Sequence, residues 1–314
     1  MTPSRLLALL ATIVLALTVA GCGGDDGDGA ESKDARVLLQ SAFEKQVDSA
    51  DLRLDFKADL EGLDQVKGPI SLSIEGPFKS NGPEQLPNLD WDVKMSGLGP
   101  QNIDAGLIVT RDNAYVDFQG QSYEVGEQLF GQVKRSFAQQ QKQSGSQPSL
   151  KRFGINPVEW LDDPKVEDGE DVGGDATRKV SGNVDVKQVV TDVLEALRSP
   201  ALRSQLESQG QTVPQIPEVG DDTIDKVADA IDEFRFEVNV DEDDIARRLF
   251  AEAEFDVPED ADAGSLKGGK VSFTYQLEKV GIDPDIKAPA NPQPLGTLLR
   301  QFGLGGAQAL PQQQ

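Results

Sequence analysis

Asp51-Leu52-Arg53-Leu54-Asp55-Phe56-Lys57-Ala58-Asp59-Leu60-Glu61 alternates apolar and polar residues without a break. In an extended backbone successive side chains point to opposite faces, so this run specifies a strand with one apolar side and one charged side. The same period of two recurs in Ile70, Leu72, Ile74 and Phe78, then in Leu89, Trp91, Val93 and Met95, and again in Ile103, Ala105, Leu107 and Val109. Gly68-Pro69, Gly76-Pro77, Gly82-Pro83 and Gly99-Pro100 fall at the breaks. Proline cannot donate to a strand ladder, and gaps this short favour antiparallel neighbours over parallel crossovers. Arg111-Asp112-Asn113 supplies a turn into Ala114–Phe118, and Gly120-Gln121 another into Ser122–Val125. The pattern predicts an antiparallel meander.

Outward from this meander the period changes. Leu38, Leu39, Ala42, Phe43 and Val47 have helical spacing after the acidic cap residue Asp34, and Leu129, Phe130, Val133 and Phe137 predict one helical face ahead of the glutamine-rich run at 139–146. A short segment with Val158, Trp160 and Leu161 precedes two strands near 165–167 and 177–184. A helix from Val186 to about Arg198 is expected to bury Val189, Val190, Val193, Leu194 and Leu197, and a connection through Pro214 and Pro217 leads to another at Ile224–Ile231. Strands return with Phe234, Phe236, Val238 and Val240, then Leu249 to Val257 after the acidic turn Asp241-Glu242-Asp243-Asp244, then Val271, Phe273, Tyr275 and Leu277. The expected fold is α+β: a single curved antiparallel β-sheet of about ten strands, a half-open barrel, with helices packed across the concave face. One domain is favoured because neither half carries enough helix to cover its sheet, and a split near 144–156 is the alternative.

The N-terminus reads as an export signal. Arg5 precedes an apolar block from Leu6 to Ala20, which is shorter than the ~20 residues of a permanent membrane span and ends in Val19-Ala20-Gly21-Cys22. Small residues directly before a cysteine resemble the bacterial lipobox, so Cys22 is the expected site of lipid attachment. As the chain's single cysteine it can form no internal disulfide. Two or three acyl chains, at ~0.8 kcal/mol per buried methylene, would hold the protein stably on the extracytoplasmic face of the cell membrane. Residues 1–21 are then signal peptide and 22–33 a flexible acidic and glycine-rich tether. Residues 34–292 form the folded domain, and 293–314 a tail rich in proline, glycine and glutamine. The acidic run Asp25-Asp26-Gly27-Asp28 lacks the full pattern of a calcium loop, and no metal or cofactor is expected.

The formal net charge is -24. Such a field repels phosphate backbones, which argues against nucleic-acid binding, and it favours a soluble monomer. Histidine is absent, which removes the commonest general base and metal ligand. No serine precedes a lysine by three positions, and neither a G-x-S-x-G elbow nor a G-x-G-x-x-G fingerprint occurs. Carboxylate chemistry is what remains for an enzyme, without a paired-acid motif to support it, and no catalytic residue is expected. Gly264-Ser265-Leu266-Lys267-Gly268-Gly269-Lys270 has P-loop spacing, but Val271 stands where a hydroxyl is required and a strand follows where a helix is needed. It reads as a hairpin turn.

The lipobox, acidic tether, first helix and long meander together resemble the LolA-like lipoproteins of actinobacteria, the LppX/LprG type. Asn113-Ala114-Tyr115-Val116, Ser181-Gly182-Asn183-Val184-Asp185-Val186 and Ile286-Lys287-Ala288-Pro289 carry the local likeness. The resemblance implies a half-open barrel with helices across its mouth, whose interior holds the acyl chains of a lipid or lipoglycan, and it implies no catalytic residue. On that basis the ligand pocket is expected between the first four strands and the last two. Phe56, Leu72, Ile74, Trp91, Val93, Phe236, Phe273 and Tyr275 are its candidate lining. The expected function is a membrane-anchored lipoprotein that carries or presents a lipid. A non-enzymatic envelope sensor or scaffold of the same fold, binding a protein partner, is the alternative.

Overall fold

The computed structural model describes residues 30–63, 68–97, 102–144, 155–199, 220–258 and 265–301. Cys22, the signal segment and most of the expected tether lie outside the described residues, as do the 200–219 connection, Gly264 and everything after Gln301.

Among the described residues twelve strands form one sheet: β1 (Ser49–Glu61), β2 (Ile70–Lys79), β3 (Asn88–Ser96), β4 (Ile103–Val109), β5 (Ala114–Phe118), β6 (Gln121–Glu124), β7 (Leu161–Asp168), β8 (Arg178–Val184), β9 (Ile231–Val240), β10 (Ala246–Asp256), β11 (Gly268–Glu278) and β12 (Gln293–Pro294). Their spatial order is β12-β6-β5-β4-β3-β2-β1-β11-β10-β9-β8-β7. The sheet is open, and every neighbouring pair is antiparallel except the two-residue β12–β6 contact. The first meander, β1 to β6, therefore runs from the middle of the sheet to one edge, and the second, β7 to β11, runs from the other edge back to the middle. The β1–β11 ladder, from Asp51↔Glu278 to Glu61↔Gly268, welds the two halves of the chain into one sheet. The edge strand β7 contains Pro164 and the carboxylates Asp162, Asp163, Glu167 and Asp168, which discourage pairing with another chain.

Five α-helices accompany the sheet among the described residues: α1 (Ala30–Glu44), α2 (Glu127–Ser144), α3 (Val186–Arg198), α4 (Asp221–Asp229) and α5 (Leu295–Gln301). A 3-10 turn, Pro157–Trp160, leads into β7. The Asp185 side chain caps α3 by accepting from the Gln188 backbone N–H, and Arg198 in the last turn complements the helix dipole. α1 begins inside the stretch read as tether. The fold also continues past residue 292, since β12 joins the sheet and α5 buries Leu298.

Register fixes which side chains share a face. One cross-strand row runs Val93, Ile74, Leu54, Tyr275, Leu249, Val238, Val180. The next runs Met95, Leu72, Phe56, Phe273, Ala251, Phe236. All helices with a common cluster on the sheet use this inner face, but at its flanks. At one flank Ala35, Leu38, Leu39 and Ala42 of α1, with Val189 and Ala196 of α3, pack on Val180, Phe236, Val238 and Val240. At the other, Phe130 of α2 packs on Leu89, Val109 and Ala114. The expected apolar face of α2 is only partly used. Phe130 is buried, whereas Leu129 and Val133 are 46% and 45% exposed, because the helix seats on the sheet through its first turn.

Candidate functional site

The middle of the inner face differs from its flanks. Leu54, Phe56, Ala58, Ile70 and Ile74 form a cluster joined by Leu60, Leu72, Trp91, Val93, Val271 and Phe273, and every member comes from β1, β2, β3 or β11. No described helix contributes a side chain to it. Leu72, Trp91, Val93 and Phe273 are only partly buried, although each stands on the inward side of its strand, whereas Leu54, Phe56 and Ile74 are buried. A sheet face this apolar is normally closed by packing partners, and here those partners stand to either side.

The eight candidate lining residues all fall on this face. Phe56 pairs directly with Leu72 on β2 and with Phe273 on β11, and Ile74 pairs with Val93 on β3. Tyr275 lies across from Leu54 and packs beside Trp91 on the cluster of Ala50, Leu52 and Leu277. Phe236 is placed apart from the other seven. It is 2% exposed in the helix-covered flank, with its ring edge-on to Trp160 at a centroid distance of 5.4 Å.

Trp91 stands where three apolar clusters meet. Its indole nitrogen is shielded from solvent and has no hydrogen-bond partner among the described residues. Gly76, opposite Leu52 and against the Asp90–Trp91 backbone, makes room beside it. With φ at +141° and the Asp90 carbonyl where a Cβ would stand, this position accepts only glycine. Burial pushes the Tyr275 phenol well above its usual pKa, so it stays neutral and able to donate. From β4 to β11 the inward positions otherwise carry only apolar side chains and glycine. This surface can hold an apolar molecule, and it offers no charged group for acid–base chemistry.

Two buried polar networks were not visible in the sequence. Asp192, 3% exposed inside α3, accepts from the Trp160 indole nitrogen at 2.8 Å, the Asn156 backbone N–H at 3.0 Å and the Gln188 side-chain amide at 2.7 Å. It ties the helix to the 3-10 turn. Arg247, 3% exposed at the start of β10, donates to the Leu277 carbonyl at 3.0 Å and to Asp241 at 3.1 Å, with Asp175 2.6 Å away. Both networks are held by partners within the protein and sit beside the central face, not in it. Among the described residues no group of three or more acidic or sulfur ligands is placed to hold a metal ion, and no helix is long and apolar enough to cross a membrane.

No protein-family model matches the chain, and no curated protein matches it significantly. Among solved structures it is similar to the lipoprotein LppX of Mycobacterium tuberculosis, at 11% identity and a TM-score of 0.35, covering 81% of this chain and 99% of that one. It is also similar to LprF from Mycobacterium bovis, at 16% identity and a TM-score of 0.34, covering 84% and 100%. A DUF1329 family protein from Desulfovibrio piger aligns at 12% identity and a TM-score of 0.19, over 80% and 93%. LppX is of the type that the sequence resembles.

Proposed function

We propose that this protein is a lipid-binding lipoprotein of the cell envelope, acylated at Cys22, that carries or presents a lipid or lipoglycan against the middle of its inner sheet face. The observation that carries the reading is the central cluster of β1, β2, β3 and β11, to which no described helix contributes and in which Leu72, Trp91, Val93 and Phe273 stay partly exposed while the helices stand to its flanks. Each methylene moved from water onto such a surface contributes about 0.8 kcal/mol and demands no polar partner, which makes acyl chains the best-matched occupants. Phe56, Leu72, Ile74, Trp91, Val93, Phe273 and Tyr275 would line the site, with Phe236 supporting its wall. The strongly acidic chain is a poor match for anionic polymers, and the acyl anchor, not a basic surface, would hold it to the membrane.

Native mass spectrometry of the mature chain carrying Cys22→Ser, purified from bacteria without harsh detergent, tests the reading. The expected result is a population with one lipid retained, exchangeable for added diacylglycerol. Protein that is always empty and takes up no lipid would overturn it and leave the scaffold reading, for which a protein partner would have to be captured in the absence of lipid.

A further inference from the structure

The apolar side of α2 is divided by its surroundings. Counted from Phe130 at 3.6 residues per turn, Lys134 and Lys142 stand about 40° and 120° round the helix in one sense, and Phe137, Val133 and Leu129 about 20°, 60° and 100° round in the other. Phe130 points at the sheet, where it packs on Leu89, Val109 and Ala114 at the ends of β3, β4 and β5. Lys134 donates to the Arg111 carbonyl in the β4–β5 turn at 3.0 Å, and Lys142 lies 3.3 Å from Glu84 in the β2–β3 connection. Both partners stand beyond the strand ends, so the lysine side of α2 faces off the sheet. Its opposite side therefore faces back along the inner surface, toward Leu107, Trp91 and Val93. Leu129 and Val133, 46% and 45% exposed, and the half-buried Phe137 join none of the described apolar clusters. Residues four apart share a helix face, so these three form one apolar stripe aimed over the central cluster. At the other end of the same surface Ile103, inward on β4 and paired with Met95, is 42% exposed.

We infer that α2 forms the closed end of the lipid site and fixes the direction of the bound lipid: the far ends of its acyl chains lie against Leu129, Val133 and Phe137, and its head group leaves past Met95 and Ile103. The inference rests on the lipid-binding reading and adds to it the orientation of the ligand and the residues that limit its chain length. The occupant of the stripe follows from continuity. Trp91 belongs both to the cluster under Phe130 and to the central one, so the apolar surface runs unbroken from one to the other. A hydrocarbon chain lying on Phe56, Ile74 and Val93 meets the stripe as it continues. A head group in the same place would lose its hydration against side chains that offer no hydrogen bond, with both lysines turned away. At Ile103 it stays in water.

Two photoreactive diacylglycerols of equal chain length test the direction, one with a diazirine at the far end of an acyl chain and one with it beside the ester carbonyl. Each is loaded onto the mature chain with Cys22→Ser and irradiated, and the labelled residues are mapped by mass spectrometry. From Leu107, beside the α2 contact, to Ile103 is about 13 Å of strand, so the two probes report different elements. The far-end probe should label α2 at Leu129, Val133 or Phe137, and the ester-side probe should label β3 and β4 near Met95 and Ile103. Val133→Trp shortens the closed end at a half-exposed position. It should weaken binding of an eighteen-carbon diacylglycerol relative to a fourteen-carbon one by about tenfold. Arg135→Trp, exposed on the lysine side of the helix, should leave that ratio unchanged. Reversed labelling, or a Val133→Trp ratio equal to the native one, would overturn the inference and leave lipid binding intact. Retention of neither lipid would overturn the lipid-binding reading and this inference with it.

Discussion

At the scale of single residues, two carboxylates on the outer side of the sheet are shifted in opposite directions. Burial pushes Glu252 up, but hydrogen bonds and charge from Lys270 and Arg235 outweigh it and hold the group below the ordinary glutamate range. Lys270 lies 3.0 Å from it, and Arg235 closes from β9. A carboxyl lowered in the fold contributes stability that is complete above its unfolded value of ~4.3 and is lost as the pH falls through the folded value. Asp90 is raised, first by burial and then by Asp92 and Asp117. Its ionised form costs stability at neutral pH, and that cost disappears as the pH falls through the raised folded value toward ~3.9. Glu252→Gln should therefore destabilise by about 1 kcal/mol at neutral pH, with the penalty shrinking below ~4, and Asp90→Asn should stabilise by a few tenths after solvent screening. Urea unfolding at neutral and acid pH measures both, and parallel responses of the two variants would contradict the assignment. Arg247 belongs to the same scale. Arg247→Met leaves Asp241 buried and unpaired and should cost about 3 to 5 kcal/mol, whereas loss of the more exposed Asp175 should cost less than ~1 kcal/mol.

At the scale of elements, α2 has one buried apolar anchor. Phe130 fills the pocket between Leu89, Val109 and Ala114, while Leu129 and Val133 stay exposed. Phe130→Ala should lower stability by about 3 kcal/mol through lost burial and the void it leaves, and Val133→Ala should change it by less than ~0.5 kcal/mol. Thermal unfolding of the two variants separates this arrangement from a helix seated along its whole apolar face, which would make the costs comparable. The contrast explains what was legible in the sequence. Strands have a period of two that survives any tertiary context once one face is buried, so Leu52 to Leu60, Leu72 and Ile74, Trp91 and Val93, and Phe273 and Tyr275 could be assigned to one face from spacing alone. The helix pattern at Leu129, Phe130, Val133 and Phe137 gives a stripe but not how much of it finds a partner. Asp192 and Arg247 were opaque for another reason: a charge inside an apolar pattern reads as solvent-facing until its partners are known, and some of those lie far away in the chain, at Trp160 and Leu277. Gln293–Pro294 is too short to carry a period at all.

At the scale of the whole molecule, the sheet is an open twelve-strand ribbon whose middle is held by strand pairing and whose flanks are held by helices. Its weakest closure is therefore the inner surface of β3, β2, β1 and β11, the place assigned to the ligand. If the proposed lipid binds there, stability depends on occupancy. A ligand that binds only the folded chain adds RT ln(1 + [L]/Kd), about 2.7 kcal/mol at a hundredfold excess over Kd, without altering a single contact within the protein. Lipid-free protein should consequently melt lower than lipid-loaded protein, and reloading with diacylglycerol should restore the difference. The distribution of the effect is the sharper expectation. Amide exchange should slow on loading in β1, β2, β3 and β11, whose inner faces gain a partner. It should change little in β8 and β9, where α1 and α3 already supply one. Protection gained evenly along the sheet, or confined to the β7–β9 flank, would mean that the lipid sits elsewhere and that the half-buried centre is ordinary core.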